Sequence, residues 1–533
     1  MGLDALSRRK SEIAELLGEV ARGEEVRSLH TEPASHDDGE KAAVGFCDVF
    51  KERFVHAGTR LSGQSLLRRE INITPIFLKS YSLHLRLRID SEGGIIYLGT
   101  MDRAACHVVF ITGRDIVAEG KGGLSGYVRI HALAARNLGY RTHVFFMGDR
   151  DESRDTAYGR LHMVRNPAIP DRLMRVRNDS YRQGFIEGFI NSFLKTSYTA
   201  RLHGRLLASA IRRFVLDSEG PVVIHSFFLW GSVACRVRDE LAVEGIRVKV
   251  VNSVFATMRH EIEGKVGGAW RSGKLSNLFS TIVEWLWMRL FGLGSERRSL
   301  YSPDLLLYNY DSVRRLFEAD YGVIPRSRMI SYTTEAAILG QSAGEGLPRS
   351  PIMGNAVPVV ASVSRHDPRK GVDTLIKALA ILDSRRVAFR ASIGSGGMLL
   401  PWHKHLTEEL GLGGKVLFTD WLEDPGELYR ACDVFVLPSL EEGSGSVSLL
   451  EAMMHGNCVV ASGIDGIPED IRDGIDGLLV PPADPVALAD ALQSVLSDAG
   501  LRRALGEAAR RRFMERFDPE VFARELGEAY GEG

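Results

Sequence analysis

LPSLEEGSGSVSLLEAMMHGNCVVAS, residues 437–462, carries the clearest signal of the fold. It opens on the end of a short apolar run, DVFVLPS (433–439), and passes through a loop of small and acidic residues. It then takes up an amphipathic pattern, LLEAMMHG (449–456), and closes on a second apolar run, CVVAS (458–462). Strand, loop, helix and strand in that order form the unit of a parallel sheet covered by helices. Gly443, Ser444, Gly445 and Ser446 carry little side chain, so backbone can approach a ligand there. Their N–H groups open toward a helix N-terminus, where partial positive charge favours an anion such as a diphosphate. Glu451, in the first turns of that helix, is placed to accept hydrogen bonds from ribose hydroxyls. The plainer alternative is that the acidic residues only complement the helix dipole.

The same rhythm runs outward in both directions. VPVVASVS (357–364), VAFRASIG (387–394), KVLFTD (415–420) and GLLVP (477–481) read as strands, with GVDTLIKALAIL (371–382) as a helix between the first two. Ser364 to Gly371 (SRHDPRKG) follows the first of these strands. Open α/β sheets present ligands at the carboxyl ends of their strands. Arg365 there offers a bidentate fork and Lys370 a point charge, both suited to a diphosphate. The alternative is a solvated basic loop. Upstream, AILGQSAGEGLPRSPIMGNA (337–356) interrupts the pattern, and a separate β/α series lies before it. HVVFITG (107–113), YVRIHALAARNLG (127–139), THVFFMG (142–148), PVVIHSFF (221–228), RVKVVNSVF (247–255) and DLLLYNY (304–310) alternate apolar strands with an amphipathic helix. Two β/α domains in series follow. Gly120 to Gly126 (GKGGLSG) does not fit the G-x-G-x-x-G spacing, and a plain turn is its alternative. His225 ends a buried-strand run, so it either faces a cleft or is a satisfied core histidine. Arg114 and Asp115 read as a loop ion pair, and His131 as structural.

The first hundred residues differ. Ile13, Leu16, Leu17 and Val20 recur at helical spacing, and residues 31–41 form a polar linker. YSLHLRLRID (81–90) alternates strictly, Glu92-Gly93-Gly94 offers a turn, and IIYLG (95–99) returns as a strand. The expected organisation is an α+β extension over 1–104, Rossmann-like domains over 105–345 and 346–510, and a C-terminal helix over 511–533 that packs back across the domain junction.

Composition narrows the class. The 533 residues carry 67 basic and 68 acidic side chains, for a formal charge of −1, which argues against a nucleic-acid partner. The five cysteines are dispersed without a C-x-x-C pair, so neither a disulfide framework nor a zinc site is expected, and a reducing cytoplasm is. The start shows no signal peptide. The longest apolar stretch, Leu275 to Gly294, is broken by Glu284 and Arg289, which argues against a membrane span. Trp270 to Arg298 mixes aromatic and basic residues. It is read as a scaffold helix, with contact to an anionic membrane surface as the alternative.

Taken together these motifs resemble glycosyltransferase family four, retaining enzymes of the GT-B fold. The resemblance rests on residues 437–462, on VSRHDPRKGVDTLIKAL (363–379), on VLFTDWLEDPGELYRACDVFVLPS (416–439) and on GIPEDIRDGIDGLLVPPADPVALADAL (466–492). It is thinner over the first domain. It implies α/β architecture with two Rossmann-like domains across a cleft, and a nucleoside diphosphate sugar held by the second. Arg365 and Lys370 would neutralise the departing diphosphate, and Glu442 would meet the sugar. Gly443, Gly445, Ser446 and Val447 would offer backbone contacts, Glu451 would hold ribose, and Gly122 and Gly123 would approach the donor from the other domain. No metal and no cofactor beyond the donor are implied. The acceptor would be a saccharide, a lipid-linked saccharide or a small metabolite.

Several departures from the family pattern bear on the sugar and acceptor. Glu442 and Glu451 have eight residues between them where the family has seven. Phe227 stands where a second histidine is common after His225, and Asn252-Ser253 where His-Gly is frequent. SYTTEAAI (331–338) lacks the usual Asn-Gly. These motivate a rival, a non-catalytic GT-B protein that binds a nucleotide sugar or a partner enzyme. A nucleotide-sugar epimerase of the same layout is the other.

Overall fold

The computed structural model describes residues 103–113, 115–118, 123–165, 200–260, 262, 281–282, 285–286, 288–340, 357–397, 399–419 and 425–531, together with three strands before residue 99. Met1–Asp102 and Arg103–Gly533 are two separate units. In the first, β1 (Glu70–Leu78), β2 (Tyr81–Ile89) and β3 (Ile95–Leu98) form an antiparallel sheet in the order β1-β2-β3. The expected hairpin is β2–β3, with Ile89 opposite Ile95. β1 adds a strand that sequence reading did not anticipate, and its register slips between Ile73 and Ile76. The helix expected around Ile13 to Val20 and the linker at 31–41 lie outside the described residues.

The second unit holds two parallel-rich sheets. The first is built from β4 (His107–Ile111), β5 (Arg141–Gly148), β6 (Glu152–Thr156), β7 (Gly159–Arg165), β8 (Val222–Phe227), β9 (Lys249–Val254), β10 (Leu305–Tyr308) and β11 (Ser327–Met329). Its order is β11-β10-β9-β8-β4-β5-β7-β6, and only the β6–β7 pair is antiparallel. The second is built from β12 (Val359–Val363), β13 (Arg390–Gly394), β14 (Val416–Thr419), β15 (Val434–Leu437), β16 (Cys458–Ser462) and β17 (Leu478–Val480). Its order is β14-β13-β12-β15-β16-β17, parallel throughout. In each sheet the first strand is central and the chain winds off both sides of it. That leaves a switch point between β4 and β8 in one sheet and between β12 and β15 in the other, where open α/β sheets take ligands.

Helices cover the sheets. In chain order those that matter below are α1 (Gly123–Asn137), α2 (Ala200–Leu216), α3 (Gly231–Val243), α4 (Leu293–Tyr301), α5 (Asp311–Tyr321), α6 (Val372–Ser384), α7 (Leu400–Glu409), α8 (Val447–Met454), α9 (Pro485–Ser497), α10 (Ala499–Arg516) and α11 (Pro519–Gly531). Helix α6 shows how sequence fixes the packing. Val372, Leu375, Ile376, Leu379 and Leu382 recur at three- and four-residue spacing and are all fully buried against Val360, Ile393 and Val434 of the sheet and Leu488 and Leu492 of α9. Each such side chain contributes about 1.5–3 kcal/mol by leaving water. A second core under the other sheet joins Val109, Ile111 and Ile224 to Leu207 and Ile211 of α2 and Val237 and Leu241 of α3.

Helix α11 returns to the first sheet's domain, lying against α1. Glu528 pairs with Arg328 at 2.7 Å, and the Glu525 carboxylate accepts from the Ser331 N–H at 2.5 Å. Among the described residues no helix is long and apolar enough to cross a membrane. Of Trp270 to Arg298, the segment weighed for membrane contact, residues 270–280, 283, 284 and 287 lie outside the described residues.

Candidate active site

The loops that leave β12 and β15 meet at the switch point of the second sheet. Asp367 caps the turn Pro368–Lys370 by accepting from the Arg369 N–H at 3.0 Å. Gly371 then turns with a φ of +58°, and a Cβ there would stand 2.0 Å from the Pro438 carbonyl oxygen. The close approach lets the two loops touch. The Leu440 N–H donates to the Arg369 carbonyl at 2.6 Å, and Lys370 Nζ sits 2.7 Å from Glu442 Oε2. Glu442 is nearly buried, with 6% of its side chain exposed, and its other oxygen accepts from Ser439 Oγ at 2.5 Å. Arg365 reaches outward from the same loop, 55% exposed, with one nitrogen 3.3 Å from Asp367 Oδ2.

Past Glu442 the chain turns through Gly443 at φ +81° and enters α8 with Ser446 at the N-cap and Val447 as its first residue. No side chain caps this helix start, and Ser446 Oγ instead lies 3.0 Å from Ser448 Oγ. Glu451 accepts from the Tyr429 hydroxyl at 2.8 Å, and burial together with that carboxylate pushes the Tyr429 phenol well above its ordinary value. The structure therefore brings Arg365, Lys370, Glu442, Gly443, Gly445, Ser446, Val447 and Glu451 into two adjoining loops and one helix.

Three sequence expectations turn out differently. Gly443 is expected to offer backbone contacts, but its N–H and that of Glu442 both donate to Asp465 Oδ2, at 2.9 and 2.7 Å. Gly445 is expected to offer backbone contacts, and the space a side chain would fill there is taken by Tyr310: a Cβ would lie 1.9 Å from its hydroxyl. His225 was a candidate catalytic residue, but it is fully buried and both ring nitrogens are used. Nδ1 is 2.7 Å from the Tyr530 hydroxyl and Nε2 is 2.8 Å from Ser253 Oγ. Burial holds it well below the usual histidine value, so it is neutral. It is a satisfied core histidine. Gly122 lies outside the described residues, and Gly123 opens α1.

The departures at Phe227, Asn252 and Ser253 belong to this same interior. Phe227 stacks on His225 with centroids 4.9 Å apart, Ser253 bonds the imidazole, and the Asn252 amide donates to the carbonyls of Phe228 and Ser299. Asp115 pairs with Arg154 of β6, and Arg114 is outside the described residues.

Sequence reading missed the residues that grip the Glu441 to Ser446 loop from the first domain. Ala256 faces Gly443, His260 lies 3.6 Å from Glu441 and 3.9 Å from Asp465, and the Tyr127 hydroxyl is 3.3 Å from Ser444 Oγ. Tyr310 inserts deepest. These positions carry no pattern of their own. Each is a strand-end or helix residue whose partner lies far away in sequence.

Residues 353–512, which hold both loops, match the family described as Glycosyl transferases group 1. Over 160 residues the chain is 38% identical to D-inositol 3-phosphate glycosyltransferase of Corynebacterium glutamicum, covering 28% of this chain and 38% of that protein. The chain spans less than half the length of the first curated relatives it matches. Among solved structures, sucrose-phosphate synthase from Thermosynechococcus elongatus aligns with a TM-score of 0.56 at 21% identity, covering 80% of this chain and 98% of that one. Anabaena HepE, solved with UDP and glucose, aligns with a TM-score of 0.53 at 17% identity, covering 80% and 99%. The fold is GT-B, with two Rossmann-like domains. The second of them carries the sequence features of group 1 glycosyl transferases.

Proposed function

We propose that this protein is a retaining glycosyltransferase that moves a sugar from a nucleoside diphosphate sugar to a hydroxyl acceptor without a metal ion. The observation that carries the reading is the meeting of Arg365, Lys370 and the uncapped start of α8 at the β12–β15 switch point. Two cations and an uncapped helix N-terminus, all on the loops that leave neighbouring strands β12 and β15, suit a diphosphate, which collects charge as it leaves. In this reading Arg365 binds the diphosphate through its fork. Lys370 exchanges part of its contact with Glu442 for a phosphate oxygen. The bond from the anomeric carbon to the diphosphate oxygen breaks, and its electron pair stays on the diphosphate. The acceptor oxygen forms the new bond on the same face and passes its proton to a phosphate oxygen. Glu451, already holding the Tyr429 hydroxyl, lies on α8 to receive ribose hydroxyls.

The similarity to proteins named as glycosyltransferases and the GT-B fold support the reading, and the UDP in HepE gives a first donor to try. The test is product formation from UDP-, GDP- and ADP-sugars in the presence of EDTA, with Arg365→Ala beside the native chain. Transfer by the native protein and a loss of about 100-fold or more in the variant is expected. Equal turnover by both would overturn the role of Arg365. An epimer formed without any acceptor would favour the epimerase instead.

A further inference from the structure

Tyr310 follows β10 of the first domain and packs in that domain's core with Val254, Leu306, Val313 and Phe317, while its hydroxyl reaches into the second. It is fully buried, and its hydroxyl donates to Asp470 Oδ2 at 3.0 Å. Two glycines make room for it. A Cβ at Gly445 would lie 1.9 Å from the hydroxyl, and one at Gly466 would lie 2.7 Å from the ring and 2.8 Å from the Ser444 carbonyl oxygen. The Arg516 guanidinium stands 6.0 Å from the ring centroid. Beside the socket, the Glu469 carboxylate accepts from the N–H groups of Asp311 and Ser312 at 2.8 and 2.7 Å, so a second-domain side chain satisfies the first turn of α5. One side of the socket is Gly445 of the Gly443–Ser446 loop, and the Gly466 N–H ties that loop by donating to the Ser444 carbonyl at 2.9 Å.

We infer that Tyr310 is a positioning residue for the donor: seated between Gly445, Gly466 and Asp470, it holds the Gly443–Ser446 loop in the shape a nucleoside diphosphate meets. The inference rests on the donor reading above. A loop ordered beforehand does not charge its ordering entropy to the ligand, so loss of the ring lowers affinity without removing a ligand contact. The glycines of this loop then serve the fit between domains as much as any approach of phosphate.

The experiment uses the full chain with Tyr310→Ala, Tyr310→Phe and Gly466→Ala, the last lying outside the loop. It reads the Kd for UDP, GDP and ADP, amide hydrogen exchange over residues 441–448, the KM–kcat split and the melting temperature. Tyr310→Ala and Gly466→Ala are expected to raise both the Kd and the loop exchange rate at least about tenfold, while exchange in β12 and β13 stays native. KM rises more than kcat falls. Tyr310→Phe, which refills the socket, keeps the Kd within about threefold of native. Native affinity and native loop exchange in both disruptive variants would overturn the inference. Should Tyr310→Ala not fold, Gly466→Ala decides the same question. Absence of nucleotide binding by the native chain would sink the donor reading instead, and the exchange data would still decide whether Tyr310 orders the loop.

Discussion

Lys370 and Glu442 hold each other at 2.7 Å in a place water barely reaches, so deleting either one strands a charge. Lys370→Ala is expected to cost about 1–3 kcal/mol of stability in urea titration. Adding Glu442→Gln should restore part of that stability and none of the turnover, because the carboxylate is what suffers without its partner while the reaction needs the cation. A double variant no more stable than Lys370→Ala would show that the pair is not coupled. At this scale the sequence was legible where a side chain follows a strand: Arg365 and Lys370 could be placed after VPVVASVS from the apolar run alone. His225 could not be oriented that way. All six positions of β8 are buried, so the strand has no alternation to tell one face from the other. Tyr310 was invisible for a related reason, since an aromatic after a strand reads as core of its own domain and does not announce that its hydroxyl bonds the other.

Among elements, the turn between Lys370 and α6 carries the tightest requirement. Gly371 has a φ of +58° and would place a Cβ 2.0 Å from the Pro438 carbonyl oxygen, so both conformation and space exclude a side chain. Gly371→Ala should destabilise the fold by more than about 1 kcal/mol and separate the β12 and β15 loops, lowering nucleotide affinity. A native melting temperature in that variant would contradict this picture of how the loops meet. The strands of the second sheet were legible because each is a short continuous apolar run between turn residues. β6 was not. ESRDT is polar at every position, and it is held at the sheet edge by pairing with β7 rather than by burial. The hairpin it forms needs Gly159 at φ +106°, a cue too common to read alone.

The whole molecule holds buried ionisable groups that shift in opposite senses. Burial lowers His143 to about 3 and His131, His162, His366 and His403 to about 4. Unfolded histidines titrate near ~6.5, so the unfolded chain binds more protons between ~6.5 and ~4. Stability from these groups is present above ~6.5 and falls as the pH drops toward 4. Asp470 behaves in reverse. Burial raises its carboxyl to about 8 against ~3.9 when unfolded, so the native state binds the extra proton and this contribution is lost as pH rises through 8. The native melting temperature should fall from pH 6.5 to 4.5, and Asp470→Asn should gain on the native chain as the pH rises toward 8 and level off above it. Parallel melting curves for the two proteins would refute the Asp470 assignment. The two β/α domains were legible from the rhythm of their strands and the GT-B layout from the resemblance of the motifs, whereas the grip of one domain on the other was not, since it joins residues such as Tyr310 and Asp470 that are far apart in the chain. Everything proposed for function turns on a nucleoside diphosphate held by Arg365 and Lys370 at the second sheet's switch point. The decisive measurement is calorimetric melting with UDP, GDP and ADP in EDTA. One of them is expected to stabilise the native protein, by about 2.7 kcal/mol at a hundred times its Kd, and to leave Arg365→Ala unmoved. A native protein unmoved by all three, or an Arg365→Ala variant stabilised as much as the native, would contradict it.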